Sequence, residues 1–537
     1  METEMKDCLL DLANTALGIE LGSTRIKAVL IDTDFVPLAT GIFEWENHLE
    51  DGIWTYSSEE ITTGLQKCFA DLKEKFKAKY GRTLSTCGAI GLSAMMHGYL
   101  PFDEEGNQLT PFRTWRNTIT GEAAEILTGL FGVNIPQRWS VAHLYQAFLN
   151  KEEHLKRLAF FTTLSGFLHW KLTGIKVIGI GDASGMFPID PKTKDYDQEM
   201  LKQFETLCGL DLRSLLPKVL TAGEPAGILT QEGALLLDPS GDLSPGIPLA
   251  PCEGDAGTGM AATNAVAPQT GNVSAGTSAF AMIVTDRQLS AHREVDMVTT
   301  PAGDPVAMVH CNNCTSDLNS WICLFREICE LYEASKSGLL SSDTSSFDNE
   351  TFFRLLFRKA LEAEPDCGGL LNFNYISGEG VTDLDKGVPL FLRRADSQLS
   401  LSNFMCTQLL SSLATLKIGL DILTSSEQIP IEKLYGHGGF FKTPEVGARF
   451  LSAAVDAPVS VMKTAGEGGA YGMALLAAFM LWKEKGESLS DFLANKVFRE
   501  APSEEVIASP EERERFAAFL EQYKKALPLE ELATQII

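Results

Sequence analysis

Short apolar runs and longer runs of helical period alternate along most of this chain. "ALGIEL" (16–21) and "IKAVLID" (26–32) predict two paired strands. "SEEITTGLQKCFADLKEKFKAKYG" (58–81) has the spacing of an amphipathic helix, and "CGAIGLSAM" (87–95) returns to a strand that runs into the loop "MHGYLPFDEEGNQL". Residues 118–175 read as mainly helical. Strands alternating with helices predict an α/β protein. The longest apolar run, "AYGMALLAAFMLW" (470–482), is too short to span a bilayer and predicts a buried helix. Residues 223–250 are rich in Gly and Pro with few helical patterns, and they are the best boundary candidate.

The opening pattern recurs. Gly18-Ile19-Glu20-Leu21 leads to Gly22-Ser23-Thr24 and then to apolar residues ending at Asp32; Asn272-Val273-Ser274-Ala275 leads to Gly276-Thr277-Ser278 and then to apolar residues ending at Asp286. A reversal alone is served by Asn-Gly or Asp-Gly. A turn of small residues instead lets backbone N–H groups converge on phosphate oxygens. Two such turns, one opening each half, predict a duplicated hairpin unit gripping one phosphate chain from both sides.

With 537 residues the chain is too long for one core, so at least two domains are expected. Its apolar content of 45% and charged content of 22% are ordinary for a soluble globular protein. The net charge of −26 argues against a nucleic-acid footprint and against a basic surface for anionic membranes. A polyanionic substrate must then be held by local donors or a divalent cation. The start "METEMKDCLL" lacks the order of a signal peptide. Eleven scattered cysteines suit reduced thiols in the cytoplasm. Cys311 and Cys314 form Cys-x-x-Cys, followed by Cys323 and Cys329, but no second pair stands at zinc-site spacing, so buried thiols are the favoured reading. No Walker A motif is present. "TAGEGGAYGMALLAA" (464–478) ranks low as a dinucleotide fingerprint and higher as a glycine-lined nucleotide wall at a helix N-terminus.

Seven spaced segments, in order, resemble the FGGY family of carbohydrate kinases within the actin–hexokinase superfamily: the opening hairpin, "GLSAMMHG" (91–98), "GDASGMFPID" (181–190), "CEGDAGTGMAA" (252–262), "AGTSAF" (275–280), "GHGGFFKTPEVGARFLSAAVDAPV" (436–459) and "AGEGGAYGMALLA" (465–477). The Met-His-Gly and Asp-Ala-Ser-Gly elements look most like its xylulokinase branch. The resemblance implies two actin-like (ribonuclease H-like) α/β domains, with mixed sheets flanked by helices and a cleft between them. A sugar-binding domain is expected over 1–250, an ATP-binding domain over 251–490, and a charged helical extension over 491–537. The implied reaction is ATP-dependent phosphorylation of a sugar hydroxyl, with a ketopentose such as xylulose or ribulose as acceptor and Mg²⁺ as cofactor. Sugar and ATP are the expected partners, with no nucleic acid and no membrane; a homodimer is an allowed assembly.

The resemblance also assigns roles. Asp255 matches the family's general base, although its place before a run of small residues fits an N-cap equally well. Met96 and His97 match a ketose-contacting loop, against the plain reading of a satisfied loop histidine. Asp182 is expected near the sugar or as a turn former. Trp115 is expected beside the sugar, but Asn117 and Ile119 stand where many relatives carry Asp and Arg. Glu20 replaces the usual Asp that holds the metal through water. Gly22, Ser23, Thr24 and Lys27 on one side, and Gly276, Thr277 and Ser278 on the other, are expected at the phosphates. Gly438, Gly439, Gly468 and Gly469 are expected to line the adenosine side, or else to allow tight strand–helix packing. Two rivals remain: a superfamily ATPase resembling acyl-CoA dehydratase activators, and a sugar-binding regulator without catalysis.

Overall fold

Residues 10–337, 348–462, 468–500 and 505–537 are described by a computed structural model. The first sheet has five strands: Ala16–Leu21, Arg25–Ile31, Pro37–Glu44, Ala89–Ala94 and Glu253–Gly254. Counted along the chain they lie in the order 3-2-1-4-5. The first three form an antiparallel meander, and the last two add in parallel. The second sheet repeats this plan with Thr270–Ala275, Ala279–Val284, Pro305–Cys311, Lys433–His437 and Val459–Val461, with the same directions throughout. The duplicated hairpin seen in the sequence is thus the start of a duplicated domain. The second sheet also carries an extra strand at each edge, Val295–Thr299 and Glu505–Val506.

Helix Ser58–Tyr80 closes on the first sheet through Gly41, where an added Cβ would lie 2.2 Å from the Cys68 carbonyl. Its start is fixed by a capping box between Ser57 and Glu60, and its end by left-handed Gly81. Helix Gly468–Trp482 is the buried apolar helix expected near 470–482, and it too packs on the first sheet. A Cβ on Gly18 would lie 2.1 Å from the Ala470 carbonyl, so strand and helix touch backbone to backbone. The same helix crosses helix Asp255–Ala262 at Gly472, whose Cβ would lie 1.9 Å from the Thr258 carbonyl.

Two elements therefore cross the division expected at residue 250. Strand Glu253–Gly254 completes the first sheet, and helix Gly468–Trp482 returns from the second half to cover it. The segment beyond 490 supplies the edge strand Glu505–Val506 and helix Pro510–Ile536, whose Phe516, Phe519, Leu520 and Tyr523 enter the second core. Helix Leu401–Asp421 and the turn after it have the length and composition of a membrane span, yet 78% of its 18-residue apolar window is buried in the second domain. The domains meet along strand Val295–Thr299. There Arg138 pairs with Asp296, Asn134 Nδ2 donates to Asp296 Oδ1 at 2.8 Å, and the Thr299 N–H donates to Ser184 Oγ at 3.1 Å.

Candidate active site

Four carboxyl groups gather where the first sheet meets helix Asp255–Ala262. Asp255 is the first residue of that helix, and Gly254 occupies the N-cap, so the capping role is not the one Asp255 plays. Its Oδ1 accepts the Met96 N–H at 3.1 Å. Burial raises its pKa, and backbone amides of Met96 and Ala256 pull it back. Glu20, next to last in its strand, accepts the Ala470 N–H at 3.2 Å on Oε2, at the start of helix Gly468–Trp482. Burial, then the charge of Asp255, pushes Glu20 up to about 7. Gly469 makes this contact feasible, because a Cβ there would lie 2.0 Å from Glu20 Oε1.

Asp182 lies in the short helix Ile180–Ala183 and is fully buried. Thr163 Oγ1 donates to its Oδ2 at 2.7 Å and Ser165 Oγ donates to the same atom, while Oδ1 has no partner among the described residues. Burial and the Asp255 charge push it up to about 7. Glu253 accepts the Gly181 and Asp182 N–H groups at 3.3 and 2.9 Å. Burial and the Asp182 charge push it up to about 8. In its turn-former reading Asp182 would be solvated; in the structure it is a buried acceptor behind Gly254, whose Cβ would lie 3.3 Å from Asp182 Oδ1.

Met96 and His97 follow strand Ala89–Ala94, with His97 in a left-handed conformation (φ 71°). The His97 ring stacks on Trp139, and Nδ1 lies 3.3 Å from the Gly185 carbonyl. Burial, then the Arg138 charge, holds its pKa well below the usual imidazole range. A neutral ring whose Nδ1–H donates to a carbonyl leaves Nε2 as an acceptor for a hydroxyl. Trp115 sits over the first turn instead, its Nε1–H donating to Ser23 Oγ at 3.0 Å. Asn117 is buried and spends its amide on the loop itself, accepting from the Trp54 N–H at 2.8 Å and donating to the Trp54 and Thr114 carbonyls.

Both small-residue turns have their carbonyls tied back. In the first, Gly22 N–H closes on the Arg25 carbonyl at 2.9 Å. Trp45 Nε1 takes the Gly22 carbonyl at 2.7 Å, Tyr56 OH takes that of Ser23 at 2.5 Å, and Trp45 N–H takes that of Thr24 at 3.2 Å. In the second, Gly276 N–H closes on the Ser278 carbonyl at 2.8 Å, Thr315 N–H and Oγ1 take the Gly276 carbonyl, and Cys314 N–H takes that of Thr277. Tying the carbonyls back leaves each loop with its amide side as the one that could face an anion. Lys27 stands opposite Glu20 across the first hairpin and draws its pKa down. Gly438 (φ 97°) is pressed against the second hairpin, where a Cβ would lie 2.5 Å from the Ala275 carbonyl, whereas Gly439 is open. Gly468 (φ 67°) and Gly469 are described, and the residues just before them, 463–467, lie outside the described residues.

Residues 15–261 match the N-terminal domain of the FGGY family of carbohydrate kinases, and residues 271–481 match its C-terminal domain. The chain belongs to this FGGY family. It is similar to a glycerol kinase of Thermococcus kodakarensis, 25% identical over 291 residues, which is 51% of this chain and 54% of that protein. It is also similar to a xylulose kinase of Haemophilus influenzae, 23% identical over 343 residues, or 62% of this chain and 64% of that protein. The chain thus aligns with about half to two thirds of these curated relatives' length. The crystal structure of a xylulose kinase from Rhodospirillum rubrum superposes with a TM-score of 0.76 at 16% identity, covering 96% of this chain and 100% of that one. At that identity the likeness speaks to the fold.

Three features of this FGGY chain escape a sequence reading. Glu253 is one, although Gly179 and Gly181 signal it: a Cβ on either would lie within 2.4 Å of the Glu253 carboxylate. His310 and His437 are the others. Paired strands place His310, Phe280, Ser274 and His437 in one row on one face of the second sheet, all half-buried. Burial lowers both imidazoles to about 4, and the His310 charge acts on His97 of the first domain.

Proposed function

We propose that this chain transfers the terminal phosphoryl group of ATP to a hydroxyl of a ketopentose such as xylulose or ribulose, with Asp255 as general base. The observation that carries this reading is the setting of Asp255: a half-buried carboxylate free of capping, aimed by the Met96 N–H and raised by burial. A carboxylate so placed can accept the hydroxyl proton as the oxygen attacks phosphorus. His97 Nε2 accepts from a second hydroxyl and so orients the sugar. With the Gly22 and Gly276 N–H groups closing the turns, the amides of Ser23, Thr24, Thr277 and Ser278 are the ones offered to the phosphates, where negative charge must be offset.

The residues present fit a Mg²⁺ ion. The Asp255 charge raises the buried Glu20 carboxyl, and Mg²⁺ is commonly held by one or two carboxylates, waters and substrate phosphates. Glu20 would hold it through water, using the lone pairs its bond to Ala470 leaves over. When bound, the ion offsets phosphate charge. The ten described cysteines are free thiols, which suits the cytoplasm.

The test is Asp255→Asn assayed with ketopentoses, glycerol and gluconate. Sugar-dependent turnover should fall roughly 10²–10⁴-fold while ATP affinity stays within about twofold. Near-normal turnover of the variant would overturn the base. Wild-type ATP hydrolysis indifferent to every sugar would indicate an ATPase, and sugar binding without turnover a regulator.

A further inference from the structure

Away from this site, two buried thiols touch. Cys367 Sγ–H donates to Cys406 Sγ at 3.0 Å, the one sulfur–sulfur hydrogen bond among the described residues. The contact is held from both sides. Cys367, Gly368 and Gly369 are three successive left-handed residues (φ 51°, 65° and 70°), a loop that turns the thiol inward. Asp366 Oδ1 accepts the Gly368 N–H at 3.0 Å, and Asn403, on the helix that carries Cys406, accepts the Glu364 N–H at 2.9 Å. A Cβ on Gly368 would lie 2.5 Å from Asn403 Nδ2, so the loop is pressed onto the first turn of helix Leu401–Asp421. Against the cost of burial, the bond from Cys367 first, and then the Arg515 guanidinium, which donates to the Ala363 carbonyl at 3.4 Å, favour a thiolate at Cys406. Pro365 and Asp366, the two residues before Cys367, are exposed.

We propose that Cys367 and Cys406 form a peroxide-reactive pair that closes to a disulfide. The Cys406 thiolate attacks one oxygen of hydrogen peroxide and the O–O bond breaks. The departing hydroxide takes up the proton lost by Cys406 and leaves as water, and Cys406 becomes a sulfenic acid. Cys367 sulfur then attacks that sulfur and displaces hydroxide, which leaves as a second water with the Cys367 proton. Each sulfur gives up one electron overall, and peroxide takes both. The bond ties the 364–369 loop to a core helix of the second domain and closes a loop of 39 residue steps. A dithiol reductant reverses it.

The experiment treats the intact protein with excess hydrogen peroxide, blocks remaining thiols with N-ethylmaleimide, and maps peptides without reductant. A linked peptide carrying Cys367 and Cys406, two hydrogens lighter than its parts and released by dithiothreitol, is expected. Tm should rise by roughly 5 °C in the oxidised form. Cys406→Ser should abolish the link, and Cys367→Ser should leave a sulfenic acid at Cys406 that dimedone traps, each variant checked by circular dichroism. The pair is overturned if exposed Cys323 is oxidised while Cys367 and Cys406 are both recovered as maleimide adducts after denaturation. It is equally overturned if Cys406 oxidises in the wild type without forming the linked peptide.

Discussion

Two glycines of the second hairpin region separate ligand demand from packing demand. A Cβ built on Gly276 meets nothing within 4 Å, so neither packing nor backbone strain requires glycine there. Gly438, at φ 97°, is both strained for any side chain and blocked by the Ala275 carbonyl. Gly276→Val should therefore keep its fold and Tm while ATP affinity, read by calorimetry, falls at least tenfold. Gly438→Ala should cost about 1–3 kcal/mol of stability with or without nucleotide. A folded Gly276→Val protein with normal ATP affinity would remove the second turn from the phosphate site. At this scale the sequence exposes residue types and hides their angles. Asp255 could be a cap or a base until Gly254 is seen in the cap, and Asn117 reads as a lost substrate contact until its amide is found bracing Trp54. Nothing in the letters around His97 announces its left-handed backbone.

The short helix Ile180–Ala183 and the strand Glu253–Gly254 hold Asp182 and Glu253 against each other, the Asp182 N–H donating to Glu253 and the Asp182 charge raising it. Asp182 titrates near about 7 in the folded protein, above its value of about 4 in an unfolded chain. The folded state then binds the extra proton, so this contribution to stability is whole below about pH 4 and is lost as pH rises through about 7. Asp182→Asn keeps an acceptor for Thr163 and Ser165 and removes that titration. The variant should show a flatter decline of Tm between pH 5 and 8 and should exceed the wild type at pH 8; identical pH slopes would sink the assignment. Such short elements explain what was illegible. Helix Ser58–Tyr80, both hairpins and helix Gly468–Trp482 carry enough residues to show a period. Strands Glu253–Gly254, Val295–Thr299 and Glu505–Val506 carry two to five, and their pairing comes from neighbours distant in the chain.

The two domains are legible as a duplication, yet the chain does not build them one after the other. It lays down the first sheet through residue 254, builds the second, and returns with helix Gly468–Trp482 to cover the first. It then goes back to the second with strand Glu505–Val506 and helix Pro510–Ile536. The Gly- and Pro-rich stretch at 223–250 marks a change of composition, but the tertiary contacts of residues 253–262 and 468–482 override it as a border. Residues 1–262 produced alone should bind a hydrophobic dye and lack a cooperative melt, and co-production with 263–537 should restore a soluble pair. A sharp melt of the first fragment by itself would contradict this. The late return of one apolar helix also sets the order of events at the ribosome. The segment translated first stays open along Gly18 and Gly91 until residue 482 has emerged, so early synthesis gives it no head start. During that wait its bare sheet face is the part of the nascent chain most in need of a chaperone.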